Sequence, residues 1–303
     1  MVRKLSAILA AGALALGLAA CGGSDPMVGA ESGSPAAGGS LVVGSQQYYS
    51  NEIIAELYAQ ALEAEGYQVT REFQIGQREV YLPEMEDGRI DLLPEYNGNL
   101  LQYYDPESTA RTPEQVTAAL AEVLPDGIRP LEMAEATDQD SYTVTQATAD
   151  EYDLTEIGDL TNLPQPVRIA ANSEFATRPY GIPGLLEVYG VQGELVPIED
   201  SGSALTVKAL VDGDVQVADI YTASPAIKTN NLVSLADPEA LILPQNVVPI
   251  VSDAVDERAA GIINEVSAQL GVDDLISLNA RSVDEQLGSA TIATEWLQEK
   301  GLI

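Results

Sequence analysis

Tyrosine is the residue this chain uses most unusually: 13 tyrosines stand against two phenylalanines and one tryptophan. Phenylalanine would serve in a dry core, so the preference places rings where a hydroxyl has to tolerate water. A tyrosine face attracts cations while its hydroxyl accepts hydration, a combination suited to a box around a quaternary ammonium group. Such a cation offers no hydrogen-bond donors, which leaves ring faces and a nearby carboxylate as the means of recognition. Amphipathic packing accounts for most of the 13 on the same physics. Histidine is absent and cysteine occurs once, at Cys21, which removes histidine acid–base catalysis, cysteine nucleophiles and ordinary zinc sites. Carboxylates are plentiful, yet no Gly-rich phosphate loop, nucleophile elbow or EF-hand spacing organises them. The inventory predicts no enzyme, no cofactor and no metal. The rival enzymatic reading is a secreted hydrolase or lyase using acids such as Glu95 and Asp140.

The elements that position these groups start from Asp91-Leu92-Leu93-Pro94-Glu95-Tyr96-Asn97-Gly98-Asn99. An apolar run that ends in a carboxylate, a tyrosine and a glycine reads as a buried parallel strand opening into a turn. Open α/β sheets bind ligands at that edge. Leu100, Leu101, Tyr103 and Tyr104 then continue as a helix, whose free N–H groups are expected to face the same crevice, with Tyr96 at its mouth.

Upstream, the strand Leu41 to Ser45 precedes a helical stripe from Ile53 to Leu62 closed by Gly66. A second strand alternates through Tyr67, Val69, Arg71 and Phe73, and a short helix covers Val80 to Glu86. This βαβαβ grammar predicts a parallel sheet with helices on both faces. Thr112-Pro113-Glu114-Gln115 is a capping-box helix start. The chain is expected to cross into a second lobe at Asp138-Gln139-Asp140-Ser141-Tyr142. Strands at 167–171, 194–198 and 215–220 alternate there with helices at 184–189 and 204–210. A strand at 247–251 returns the chain, followed by helices over 256–270, 273–280 and 291–300. The fold class predicted is therefore α/β, with lobe 1 formed by residues 41–142 plus 247–303, lobe 2 by 143–246, and a hinge of two crossing strands near 143 and 246.

The 303 residues carry 14 basic and 47 acidic side chains, a formal charge of -33, which excludes nucleic acid and anionic lipid as partners. Arg3 and Lys4 followed by an uncharged stretch from Leu5 to Ala20 read as a signal peptide over residues 1–20, too short to span a membrane. Leu18-Ala19-Ala20-Cys21-Gly22 resembles a lipobox, so Cys21 is predicted to carry a lipid anchor, with residues 21–40, rich in Gly, Ser and Ala, as a flexible tether. No later stretch is apolar enough for a transmembrane helix.

Residues 41 to 303 resemble the substrate-binding proteins of glycine betaine, choline and carnitine ABC transporters, the osmoprotectant-uptake type with a type II periplasmic-binding-protein fold. The motifs that carry the resemblance are Gly44-Ser45 followed by Glu56-Leu57-Tyr58, Gly88 to Tyr96, Glu174 to Pro179, Gly181 to Leu185, Asp212-Gly213-Asp214 with Asp219, and Lys300-Gly301-Leu302. The resemblance implies a tyrosine box for the trimethylammonium group: Tyr96, Tyr221, and Tyr142 paired with Asp140 at the first crossing. It makes Arg178 the clamp for a ligand carboxylate, a role its planar guanidinium can fill through two parallel hydrogen bonds.

Three positions depart from the family pattern. Gln46 stands where many relatives have lysine, Asn99 where a threonine is usual, and Gln245 where a tyrosine is expected. The pocket thereby loses a positive charge and one ring, which implies a weaker grip on a small betaine carboxylate and more directional hydrogen bonds. Tyr48, Tyr49 and Tyr180 are available to rebuild the wall. The expectation is an extracytoplasmic lipoprotein that closes two lobes over a glycine betaine-like compound and delivers it to an ABC permease. Choline, carnitine, other methylated zwitterions and ergothioneine remain open as ligands. A ligand-sensing surface lipoprotein is the further alternative.

Overall fold

The computed structural model describes residues 38–303; the expected signal peptide, Cys21 and most of the expected tether lie outside the described residues. In chain order, the first lobe is built from β1 (Ser40–Gly44), α1 (Tyr49–Ala64), β2 (Gln68–Glu72), α2 (Arg78–Glu86), β3 (Leu92–Tyr96), α3 (Asn97–Tyr104), α4 (Pro113–Val123) and β4 (Ile128–Pro130). The second contains β5 (Tyr142–Thr145), α5 (Gln146–Tyr152), β6 (Val167–Ala171), α6 (Ile182–Tyr189), β7 (Gly193–Pro197), α7 (Ala204–Val211), β8 (Val217–Asp219), α8 (Ala226–Thr229) and β9 (Leu232–Ser234). The chain then returns through β10 (Val247–Ser252), α9 (Glu257–Gln269), α10 (Val272–Val283) and α11 (Ser289–Lys300).

The two lobes carry one topology twice. The first sheet has the order β2-β1-β3-β10-β4 and the second β7-β6-β8-β5-β9. In each, three strands run parallel, as the βαβαβ grammar predicts. The fourth strand, β10 or β5, is antiparallel to its neighbours on both sides, so neither sheet is wholly parallel. The reason lies in connectivity. Both strands enter directly from a crossing between lobes, without the helical crossover that parallel pairing requires.

Tyr142, placed by the sequence at the end of lobe 1, opens a strand of the second sheet opposite Asp219. The two crossings lie side by side: Thr137 bridges Asn246 antiparallel, and the Asp138 amide donates to the Gln245 carbonyl at 3.3 Å. Each lobe keeps its own apolar core. That of the first is dominated by α1, which is sandwiched between the sheet and α9, α10 and α11 with Ile54, Leu57, Tyr58 and Leu62 fully buried. At roughly 1.5–3 kcal/mol per large apolar side chain removed from water, this core is ample to hold the strand ends in place.

Candidate ligand-binding cleft

The carboxyl ends of β1 and β3 face those of β6 and β8 across a cleft, where open α/β sheets place their ligands. The cavity at its centre measures about 40 Å³. Tyr96 is the last residue of β3, and Tyr221 lies just beyond β8, so the two rings leave corresponding strands of the two sheets. Tyr48, which leads into α1, closes the set. Its ring lies nearly parallel to Tyr96 at 6.4 Å between centroids and edge-on to Tyr221 at 5.2 Å. Tyr180 and Phe175 contribute a further wall from the second lobe. Burial pushes the hydroxyls of Tyr48, Tyr96 and Tyr221 far above the usual phenol range, so all three are neutral donors. The Tyr96 hydroxyl is buried with no hydrogen-bond partner among the described residues, an expense that protein interiors ordinarily avoid.

Beside the rings stands a cluster of acids, Asp138 and Asp140 from the first crossing and Asp219 from the end of β8. Asp138 accepts from the Ala223 amide at 2.9 Å and from Ser50 Oγ at 3.0 Å, yet burial pushes its carboxyl up to about 7. Burial, followed by the neighbouring Asp140, raises Asp219 well above the carboxylate range. Asp140 accepts from Asn99 Nδ2 at 2.6 Å, and Asp219 from the Ser141 amide at 3.2 Å. No lysine or arginine forms an ion pair with any of the three among the described residues. A turn through Ser201 and Gly202 supports this corner. Gly202 has φ +71°, and a Cβ there would sit 2.8 Å from the Asp219 carbonyl oxygen, so only glycine lets the turn pass beneath Asp219 and Tyr221.

The two arginines of the cleft are both engaged. Arg78, at the start of α2, grips Glu95 with Nε and Nη2 at 2.9 and 2.7 Å. Glu95 also accepts from the Tyr81 hydroxyl, the Tyr96 amide and, at 3.4 Å, Gln46 Nε2. This saturated carboxylate is a structural keystone and has no free lone pair for acid–base chemistry. Arg178 reaches across the cleft to Glu79, Nη1 to Oε1 at 2.9 Å and Nη2 to Oε2 at 3.2 Å.

The structure thus brings Gln46, Tyr96, Asn99, Asp140, Arg178 and Tyr221 to one cavity and leaves two expected residues out of its wall. Tyr142 is buried in the core of the second lobe, its ring against Phe175 at 5.7 Å and its hydroxyl donating to the Tyr180 carbonyl at 2.8 Å. It shapes the Tyr180 wall from behind. Gln245 is also fully buried. Its Nε2 donates to Asn99 Oδ1 at 2.6 Å and its Oε1 accepts from the Asn99 amide at 3.0 Å.

That contact corrects the expectation of free N–H groups at the start of α3. The amide of Asn97 donates to the Asn246 carbonyl, Gly98 to the Asn97 side chain, and Asn99 to Gln245. Of the three spare tyrosines, Tyr48 and Tyr180 line the cavity and Tyr49 does not. Arg78, Asp138 and Phe175 also line it and were not among the residues expected at the site. The signal that could have found Phe175 was the Glu174-to-Pro179 motif that contains it.

The model of one protein family, the substrate-binding domain of ABC-type glycine betaine transport systems, matches residues 39–299. The chain belongs to that family. Its members are transport substrate-binding proteins and not enzymes. The chain is 25% identical to the glycine betaine-binding protein YehZ of Escherichia coli over 86% of its own length and 90% of that protein's. It is 24% identical to a glycine-betaine-binding protein of Pseudomonas aeruginosa, covering 87% of this chain and 88% of the relative. Among solved structures, a glycine betaine/carnitine/choline ABC transporter protein superposes with a TM-score of 0.70 over 87% of this chain and 98% of that one, at 17% identity. The fold is accordingly that of the two-lobed type II periplasmic binding proteins. Proteins of this kind work outside the cytoplasm, and among the described residues no helix is long and apolar enough to cross a membrane.

Proposed function

We propose that this family member captures a small quaternary ammonium compound in the tyrosine-walled cleft and presents it to the permease of an ABC importer. The observation that carries the reading is the apposition of three neutral tyrosine rings, Tyr48, Tyr96 and Tyr221, to acids without basic partners. A desolvated ammonium group against such faces gains roughly 0.5–2 kcal/mol per contact, and the carboxylates supply the counter-charge that methyl groups cannot request by hydrogen bonding. In this assignment Tyr96 and Tyr221 are box walls, joined by Tyr48. Asp138 and Asp140 are the counter-charge, Asp138 on losing its proton as the cation binds, while Asp219, which burial pushes toward its neutral form, lines the site beside them with Gln46 and Asn99 as polar lining. Tyr142 and Gln245 act as supports behind the wall.

Calorimetric titration against glycine betaine, choline, carnitine and ergothioneine, with an uncharged-side-chain amino acid as control, tests the reading. Saturable one-to-one heat is expected from at least one quaternary ammonium compound and none from the control. Silence across the four overturns the ligand class. For the location, the Leu18-to-Gly22 pattern supports lipidation of Cys21 and retention on the outer side of the cell membrane. Cys21→Ser should then release the protein from the membrane fraction, and unchanged retention would remove the anchor.

A further inference from the structure

The pairing of Arg178 with Glu79 bears on which quaternary ammonium compounds the cleft accepts, and so rests on the function proposed above. A ligand ending in a carboxylate needs a cation at the end away from its ammonium group. The cavity offers two. Arg78 is held in a bidentate pair with the buried Glu95, and Arg178 in a two-point pair with Glu79. Arg178 also borders a second, outer pocket of about 270 Å³, shared with Asn99 and Tyr180, so it stands where the far end of a ligand would emerge from the inner cavity. On the same side Glu174 holds a buried oxygen with no hydrogen-bond partner among the described residues, an acceptor awaiting a donor. The far end of the site therefore presents an occupied guanidinium and a spare acceptor, which suits a hydroxyl or other uncharged donor and repels a carboxylate.

We infer that Glu79 is a specificity-determining residue: a carboxylate of the protein occupies Arg178 in place of a ligand's carboxylate. The cleft then favours a quaternary ammonium alcohol over a quaternary ammonium acid. Glu79 is 52% exposed at its side chain and lies in the first turn of a surface helix, so Glu79→Gln preserves the fold while freeing the guanidinium.

Calorimetric titration with choline and glycine betaine as probes tests this on the unmodified protein, Glu79→Gln, and the double variant Glu79→Gln with Arg178→Ala. The unmodified protein is expected to prefer choline. The choline-to-betaine affinity ratio should fall about tenfold in Glu79→Gln, on the scale of one charge-assisted hydrogen bond, and should recover when Arg178 is also removed. A general loosening of the cleft would not be reversed by that second change. A ratio unmoved by Glu79→Gln, or a betaine gain that survives the loss of Arg178, overturns the inference while leaving the quaternary ammonium reading intact. Heat from neither probe with any of the three proteins overturns the inference, and the quaternary ammonium reading falls with it only when carnitine and ergothioneine are silent too.

Discussion

At the scale of single residues the cleft separates side chains that meet the ligand from those that hold the wall. Tyr96→Ala and Tyr221→Ala should each weaken binding of a quaternary ammonium ligand by roughly 0.5–2 kcal/mol, the value of one cation–π face, as measured by calorimetry. Unchanged affinity in both would remove the box. Arg78 and Glu95 behave differently, because both are buried and the carboxylate loses its charged partner if the arginine is cut away. Arg78→Met should cost about 3–5 kcal/mol in denaturant unfolding.

Asp138 supplies a pH signature. Burial raises its carboxyl to about 7, so it is protonated in the unliganded protein below neutrality. A bound cation favours the ionised form, so binding expels that proton. Affinity should therefore rise with pH up to about 7 and level off above it, by at most tenfold per unit for a single group. Asp138→Asn should lower affinity and flatten that slope, and a slope that persists would assign the proton elsewhere.

At the scale of elements, the site depends on how closely the returning strand approaches α3. A Cβ on Gly98 would lie 2.4 Å from the Pro244 carbonyl oxygen and 2.8 Å from the Leu243 Cβ, so the helix start and the second crossing touch at backbone distance. Gly98→Ala should destabilise the protein by about 1–3 kcal/mol, seen as a lower melting temperature, because one of the two segments must move. The same contact lets Gln245 cap the Asn99 amide. An α3 terminus whose first amides are taken by the Asn246 carbonyl and the side chains of Asn97 and Gln245 leaves these N–H groups unavailable to an anionic ligand, in keeping with a site whose polarity favours cations.

At the scale of the whole molecule, two lobes meet over a cavity of about 40 Å³, room for about three water molecules, so ligand entry requires the lobes or their side chains to part. Few direct bonds cross the cleft away from the hinge. They include Gln47 Nε2 to Ser201 Oγ at 3.1 Å and the Arg178–Glu79 pair, which suits a closure that must be reversible. The formal charge of -33 also acts at this scale. A surface this negative draws cations toward the cleft, so the association rate of a cationic ligand, measured by stopped flow, should fall as salt rises from about 0.01 to 0.15 M. A rate insensitive to salt would mean that the surface field does not steer entry.

The sequence by itself determined the elements and their repetition. Period-2 and period-3.6 apolar patterns, the Thr112 capping box and the run from Asp91 to Asn99 are local signals, and Tyr96 and Tyr221 stand at strand ends that such signals can locate. The direction of β10 and β5 was not legible, because pairing polarity depends on the route of the connecting chain. Tyr142 and Tyr48 exchanged roles for a similar reason. Which face of a short strand meets the second-lobe core, and which helix start faces the cleft, is settled by packing between segments far apart in the chain. The pairing of Arg178 with Glu79 joins residues 99 positions apart on opposite lobes, and that of Asn99 with Gln245 residues 146 apart. Only the approach of the two lobes decided that the carboxylate on Arg178 belongs to the protein itself.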